Sequence, residues 1–253
     1  MPLESAGATD VGRKRDHNED ALLMAPEHNL WAVYDGMGGH QAGEVASALG
    51  IQTLKEFFDH CSGDVEATWP FKFNKNFDEM TNKLMVGIAF SNQRILEAGE
   101  AEVGKKNMGS TAVTVAIEGS RAYFAWLGDS RGYLWRRGEI MPVTQDHSLV
   151  NELLRKGQLT PEEAVNYAHK NVITRALGQT PKVEVDVEPR DLEDGDICLV
   201  CCDGVTGMVP DDRMAEILRK EPNLDKAAKK LVDAANAAGG VDNITVALIR
   251  YRA

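Results

Sequence analysis

Short apolar stretches recur along the chain with turn-forming residues between them: Ala21–Met24, Leu30–Tyr34, Thr111–Ile117, Ala122–Leu127, Gly132–Trp135, Val183–Val187, Ile197–Cys202 and Ile244–Tyr251. Their length and their content of Val, Ile and aromatic residues predict β-strands. Glu118-Gly119-Ser120 splits one adjacent pair and Gly128-Asp129-Ser130-Arg131 the next, so consecutive hairpins and antiparallel sheet are expected. A second pattern, apolar residues every three or four positions among good helix formers, marks helices over Gly43–Phe58, Phe77–Ala98, Leu149–Lys156, Asp211–Lys220 and Leu224–Ala237. Thr160-Pro161-Glu162-Glu163 supplies a cap and a proline for the first helical position, and Pro210-Asp211-Asp212 puts acids at the positive end of a helix. Strands grouped apart from long helices, with no repeat or linker, predict an α+β chain in one domain over 1–253.

With 43% hydrophobic content the 253 residues can bury a sizeable core. The net charge of −11, from 39 acidic against 28 basic residues, and the lack of a long basic block argue against a nucleic-acid partner. No run approaches the length of a membrane span, and Met1–Asp20 has no signal-peptide apolar stretch, so a cytoplasmic protein is expected. Three of the four cysteines (Cys198, Cys201, Cys202) fall in one apolar run, which suits core residues better than a disulfide framework or a zinc pair. The Trp69–Phe73 stretch reads as a loop tucked onto its own helices, with partner binding as the alternative.

Two apolar runs end in an Asp-Gly pair, Asp35-Gly36 and Asp203-Gly204, and a third acidic turn, Val241-Asp242-Asn243, opens the last run. Aspartates delivered to one rim by buried strands make an oxygen-rich cage for a hard divalent cation. The glycine-rich turn Gly36-Met37-Gly38-Gly39 lacks the spacing of nucleotide-binding loops; the backbone access it gives would let the Gly36 carbonyl reach a cation that Asp35 also holds. Arg15 and the acids Glu19 and Asp20 add a guanidinium suited to phosphate and carboxylates suited to metal or its water.

Together the motifs Arg15-x-x-Asn18-Glu19-Asp20, Asp35-Gly36-Met37-Gly38-Gly39-His40, Gly109-Ser110-Thr111, Gly128-Asp129-Ser130-Arg131-Gly132, Asp146-His147-Ser148, Ile173–Gly178, Cys202-Asp203-Gly204 and Asp242-Asn243-Ile244-Thr245 span nearly the whole chain. In this order they resemble the metal-dependent serine/threonine protein phosphatases of type 2C in their compact bacterial form. The resemblance implies a four-layer α-β-β-α sandwich and hydrolysis of phosphoserine and phosphothreonine in proteins. It implies two core Mn²⁺ or Mg²⁺ ions, with Asp35 bridging, Asp203 and Asp242 on the first ion, and the Gly36 carbonyl on the second. Glu19 and Asp20 serve the second ion directly or through water, Asp129 marks a third metal position, and Arg15 holds the substrate phosphate.

Met37 stands where some relatives have a proton-donating histidine, and methionine cannot donate a proton. A water near Asp129 is the preferred donor, and nearby His40 reads as a capping or packing residue. Segment 146–179 matches a flap beside the active site that would tune docking of phosphoproteins; a plain helix pair over Leu149–Tyr167 is the alternative. Expected partners are phosphorylated proteins, the substrates of a Ser/Thr kinase, acted on by a monomer. Two metals would activate water without a covalent intermediate, and no cysteine has the arginine spacing of tyrosine phosphatases. Two other functions fit the same residues: a phosphatase of small phosphomonoesters, and a silent phosphoprotein-binding module.

Overall fold

A computed structural model of the chain describes residues 3–38, 42–63, 74–101, 107–165, 167–169 and 172–253. The strands are β1 (Glu4–Asp10), β2 (Asp20–Ala25), β3 (Leu30–Met37), β4 (Gly109–Ser110), β5 (Ala112–Glu118), β6 (Arg121–Leu127), β7 (Arg131–Arg136), β8 (Glu139–Pro142), β9 (Asp186–Asp191), β10 (Ile197–Cys201) and β11 (Ile244–Arg250). The helices are α1 (Ala42–Gly63), α2 (Glu79–Ala101), α3 (Leu149–Arg155), α4 (Pro161–Val165), α5 (Asp203–Thr206), α6 (Asp211–Lys220) and α7 (Leu224–Ala237). The Trp69–Phe73 loop and His40 lie outside the described residues.

One sheet runs β1-β11-β10-β7-β8 and the other β2-β3-β5-β6-β9, with β4 paired to β3 at its end. Every pairing is antiparallel. Burial on both sheet faces explains the near-continuous apolar runs. On β3, Trp31 and Val33 join the core between the sheets, whereas Leu30, Ala32 and Tyr34 join the core beneath α1 and α2. Across the inter-sheet core, Phe124 packs where a Cβ on Gly132 of β7 would lie, and Leu22 and Met24 pack where one on Gly7 of β1 would lie. On the opposite side α6 and α7 cover the sheet, with the Tyr133 hydroxyl donating to Asp211 at the start of α6. The result is the expected α-β-β-α layering.

Strands β1, β8 and β9 depart from the sequence pattern, as does the two-residue β4. β1 has no apolar signature, because Glu-Ser-Ala-Gly-Ala-Thr-Asp has a single fully buried residue, Ala6; its register with β11 holds it, from Glu4 opposite Arg250 to Asp10 opposite Ile244. β8, which ends in Pro142, is likewise absent from the apolar pattern; among the described residues it pairs only with β7, an edge position where a missing N–H is tolerated. The expected strand Val183–Val187 lies instead at Asp186–Asp191, where pairing to β6 from Trp126 to Arg121 overrides the poor strand propensity of Glu188-Pro189-Arg190.

Candidate metal centre

The two Asp-Gly pairs are not hairpin turns. Asp35 sits inside β3, directly opposite Asp20 of β2, so the register of one strand pair brings two carboxylates together. Asp203 instead opens the short helix α5 straight after β10. Both glycines are required by close backbone approach. A Cβ on Gly36 would lie 2.1 Å from the Gly43 carbonyl oxygen, and one on Gly204 would lie 1.9 Å from that of Asn243. Gly204 therefore lets α5 close against the β11 entry loop that carries Asp242.

The backbone at Asp35 is held from both sides. Its N–H donates to Thr111 Oγ1 (3.1 Å), while its carbonyl accepts from the Thr111 N–H (2.8 Å) and the Ser110 hydroxyl (3.0 Å). Asn243 ties the other loops together. Its Oδ1 accepts the Glu19 N–H at 2.9 Å, and its Nδ2 donates to the carbonyls of Val11 (3.0 Å) and His17 (2.8 Å). Neither Asn243 nor Thr111 has a role that the sequence reveals, because each acts through partners that only the fold brings near.

Arg15, Glu19, Asp35, Gly36, Asp129, Asp203 and Asp242 line one open cleft of about 460 Å³. Asp20 lies behind its wall, with both carboxylate oxygens buried and unbonded. Met37 lines the cleft as well, and so does His17, which the sequence reading passed over. Arg15, half-exposed, donates from Nη2 to Asp242 Oδ2 at 2.7 Å. Asp129 and Asp203 also line a second cleft of about 520 Å³, whose far wall comes from α3 and α4 of the 146–179 segment. In that segment Thr160 and Glu163 form a reciprocal cap, N–H to carboxylate and N–H to hydroxyl.

The cleft is electrostatically strained. Burial, then the neighbouring charges of Asp20, Asp203, Asp129 and Asp242, hold the Asp35 carboxyl far above its usual range. Burial raises Asp20 to about 7, and the nearby charges of Asp203 and Asp242 act in the same direction. Asp129 also rises to about 7, through burial and then Asp203 and Asp146. Burial and Asp242 raise Asp203, one of whose oxygens is buried without a hydrogen bond. Among the described residues no three His, Cys, Asp or Glu side chains are drawn together to ligand spacing. The donor set nonetheless fits a hard divalent cation. Unbonded buried carboxylate oxygens and crowded like charges are what such an ion would satisfy, and oxygen donors suit Mg²⁺ and Mn²⁺.

The family model for protein phosphatase 2C matches residues 9–244. The chain is 38% identical to the serine/threonine phosphatase stp of Listeria monocytogenes, over 95% of this chain and 93% of that protein. It is 36% identical to protein phosphatase PhpP of Streptococcus pneumoniae, over 98% and 97%. Its fold is similar to that of the S. agalactiae serine/threonine phosphatase, with a TM-score of 0.87 at 38% identity over 99% of this chain and 100% of that one. It is also similar to the catalytic domain of the phosphatase PstP in complex with two manganese ions, with a TM-score of 0.83 at 33% identity over 99% of both chains.

Proposed function

Because the chain belongs to the protein phosphatase 2C family, we propose that it is a metal-dependent serine/threonine protein phosphatase whose reaction takes place in the carboxylate-lined cleft. The observation that carries this reading is the convergence of Asp35, Asp129, Asp203 and Asp242 on one cleft that also holds Arg15. Asp35 would bridge two cations, with Asp203 and Asp242 on the first and the Gly36 carbonyl with Glu19 or Asp20 on the second; Asp129 would serve a third. When bound, Mn²⁺ or Mg²⁺ ions offset the phosphate dianion and make water acidic enough to attack at neutral pH.

The chain's own residues do the rest. Arg15, already reaching into the cleft, is the bidentate donor for two phosphate oxygens. Thr111 and Ser110 fix the Asp35 backbone, and Asn243 fixes the loop carrying Glu19, so the acids meet the substrate in one preset arrangement. Direct attack by water is supported by the fate of the thiols. Cys198, Cys201 and Cys202 are fully buried and burial drives their thiols to higher pKa, so none is poised as a nucleophile. Met37 cannot protonate the departing serine or threonine oxygen, and water held near Asp129 is the preferred donor of that proton.

An open cleft suits a phosphorylated segment of another protein better than a small nucleotide, which needs an enclosing pocket. The partners are then phosphoproteins made by a Ser/Thr kinase, met by a monomer in the cytoplasm. Among the described residues no helix is long and apolar enough to cross a membrane. The test is phosphate release from a phosphothreonine peptide with Mn²⁺, with chelator, and against a nucleoside monophosphate. Mn²⁺-dependent turnover of the peptide above the nucleotide is expected. Faster turnover of the nucleotide would shift the reading to small phosphomonoesters, and no turnover of either would favour a binding module.

A further inference from the structure

The Asp146-His147-Ser148 motif has no part in the proposal above, yet its histidine is buried and bonded through both ring nitrogens. His147 is 3% exposed. Its backbone N–H donates to the Gly128 carbonyl at 2.8 Å, and its ring Nδ1 accepts the Gly128 N–H at 3.1 Å. One residue therefore takes both backbone groups of the glycine that precedes Asp129. Gly128 can bend this way because it adopts φ +108°, a conformation that L side chains rarely adopt, with the Thr111 side chain packed where a Cβ would lie.

The ring is held in one tautomer. A backbone N–H can only donate, so Nδ1 must be the bare nitrogen and the proton of the neutral ring sits on Nε2. That N–H faces Asp186 Oδ2 at 3.0 Å, at the start of β9; Arg175 Nη1 lies 3.4 Å from the same ring nitrogen and pairs with Asp186 Oδ1 at 3.5 Å, so it shares the carboxylate with the ring. The ring also stacks on Trp126 of β6, with centroids 6.1 Å apart and planes 12° from parallel. Burial lowers the pKa of the ring, which favours the neutral form that this bonding pattern requires. The neighbouring residue completes the grip: Asp146 accepts two bonds from Arg131, at 2.8 and 2.7 Å, so residues 146 and 147 hold the 128–131 turn at both ends. The His147 carbonyl also accepts the Thr174 N–H at 2.8 Å, tying in the far end of the α3–α4 segment.

We propose that His147 is a positioning residue for the phosphatase reaction: through Nδ1 and its backbone N–H it fixes the turn bearing Asp129, and so sets where that carboxylate stands between the two clefts. The inference rests on the metal-dependent reading of the cleft. It differs from a general packing role because one ring nitrogen matters more than the other.

Two near-isosteres separate the nitrogens. His147→Asn would place an oxygen near the position of Nδ1 and keep the acceptor for Gly128, losing Asp186; His147→Gln reaches toward Asp186 but leaves the Gly128 N–H without its acceptor. The experiment compares wild type, His147→Asn, His147→Gln and His147→Ala by calorimetric Mn²⁺ titration, by kcat and KM on a phosphothreonine peptide, and by thermal midpoint. In wild-type metal-free protein, ¹⁵N NMR of the ring reads the tautomer. The expected result is an Nε2–H ring and a slowly exchanging Gly128 amide. His147→Gln should lose about 10- to 100-fold in Mn²⁺ affinity and kcat with little change in KM, with His147→Asn close to wild type. Equal behaviour of the two variants, losses that simply follow the thermal midpoint, or an Nδ1–H ring would overturn the proposal. A wild-type protein without Mn²⁺-dependent turnover would instead overturn the reading of the cleft, while the NMR result would still decide whether His147 grips Gly128.

Discussion

Replacing Asp129 by asparagine should stabilise the metal-free protein, and only at high pH. The Asp129 carboxyl titrates at about 7 in the folded chain against an ordinary value of 3.8, because it is buried and faces Asp203 and Asp146. A gap of about three pH units corresponds to about 4 kcal/mol. The folded-state pKa lies above the unfolded one, so the folded chain binds more protons inside the window. The cost of ionising Asp129 is then absent below about pH 4, grows with rising pH, and is complete above about pH 7. Asp129 lines two open clefts, so water there screens part of the cost. The Asp129→Asn variant should therefore gain about 2 kcal/mol over wild type near pH 8 and almost nothing near pH 4. Urea denaturation in the presence of a chelator, at the two pH values, measures the difference directly. A gain that is the same at both, or a variant less stable than wild type near pH 8, would refute the argument that like charges and burial strain this cleft.

Two further substitutions probe the site from other directions. Gly204→Ala puts a methyl group 1.9 Å from a backbone oxygen that cannot turn aside; a loss of about 3 kcal/mol is expected by chemical denaturation, and an unchanged midpoint would show that α5 can move away from Asn243. Arg15→Ala removes the phosphate donor while leaving the acids in place; kcat/KM on a phosphothreonine peptide should fall about 10- to 100-fold. Arg15→Lys should recover only part of that loss, since an ammonium cannot bond two oxygens in a plane. Full recovery by lysine would mean that charge alone matters there.

The core of the fold is legible in the sequence because β3 and β10 are buried on both faces and announce themselves as unbroken apolar runs. The acids at their ends are legible for the same reason, and the order of the motifs carries the rest of the candidate site. What escapes depends on the partner opposite. β1 and β9 hold polar and small residues, or a proline, and exist through their registers with β11 and β6. Asn243 and Thr111 matter through loops far away in sequence, from Val11 to Glu19 and at Asp35. Nor can the chain alone show that Asp20 sits behind the cleft wall while Glu19 lines it, or that Gly204 yields to a carbonyl of residue 243.

The central claim is that the carboxylates of this cleft hold catalytic cations, with Asp35 shared between them. Calorimetric titration of Mn²⁺ into the metal-free protein, run beside phosphate release from a phosphothreonine peptide, tests it for wild type, Asp35→Asn and Asp203→Asn. The account predicts that wild type binds at least two ions and turns over only with them. Asp35→Asn should lose both binding and turnover, and Asp203→Asn should bind fewer ions with turnover greatly reduced. Turnover without metal, or unimpaired ion binding and activity in both variants, would contradict it.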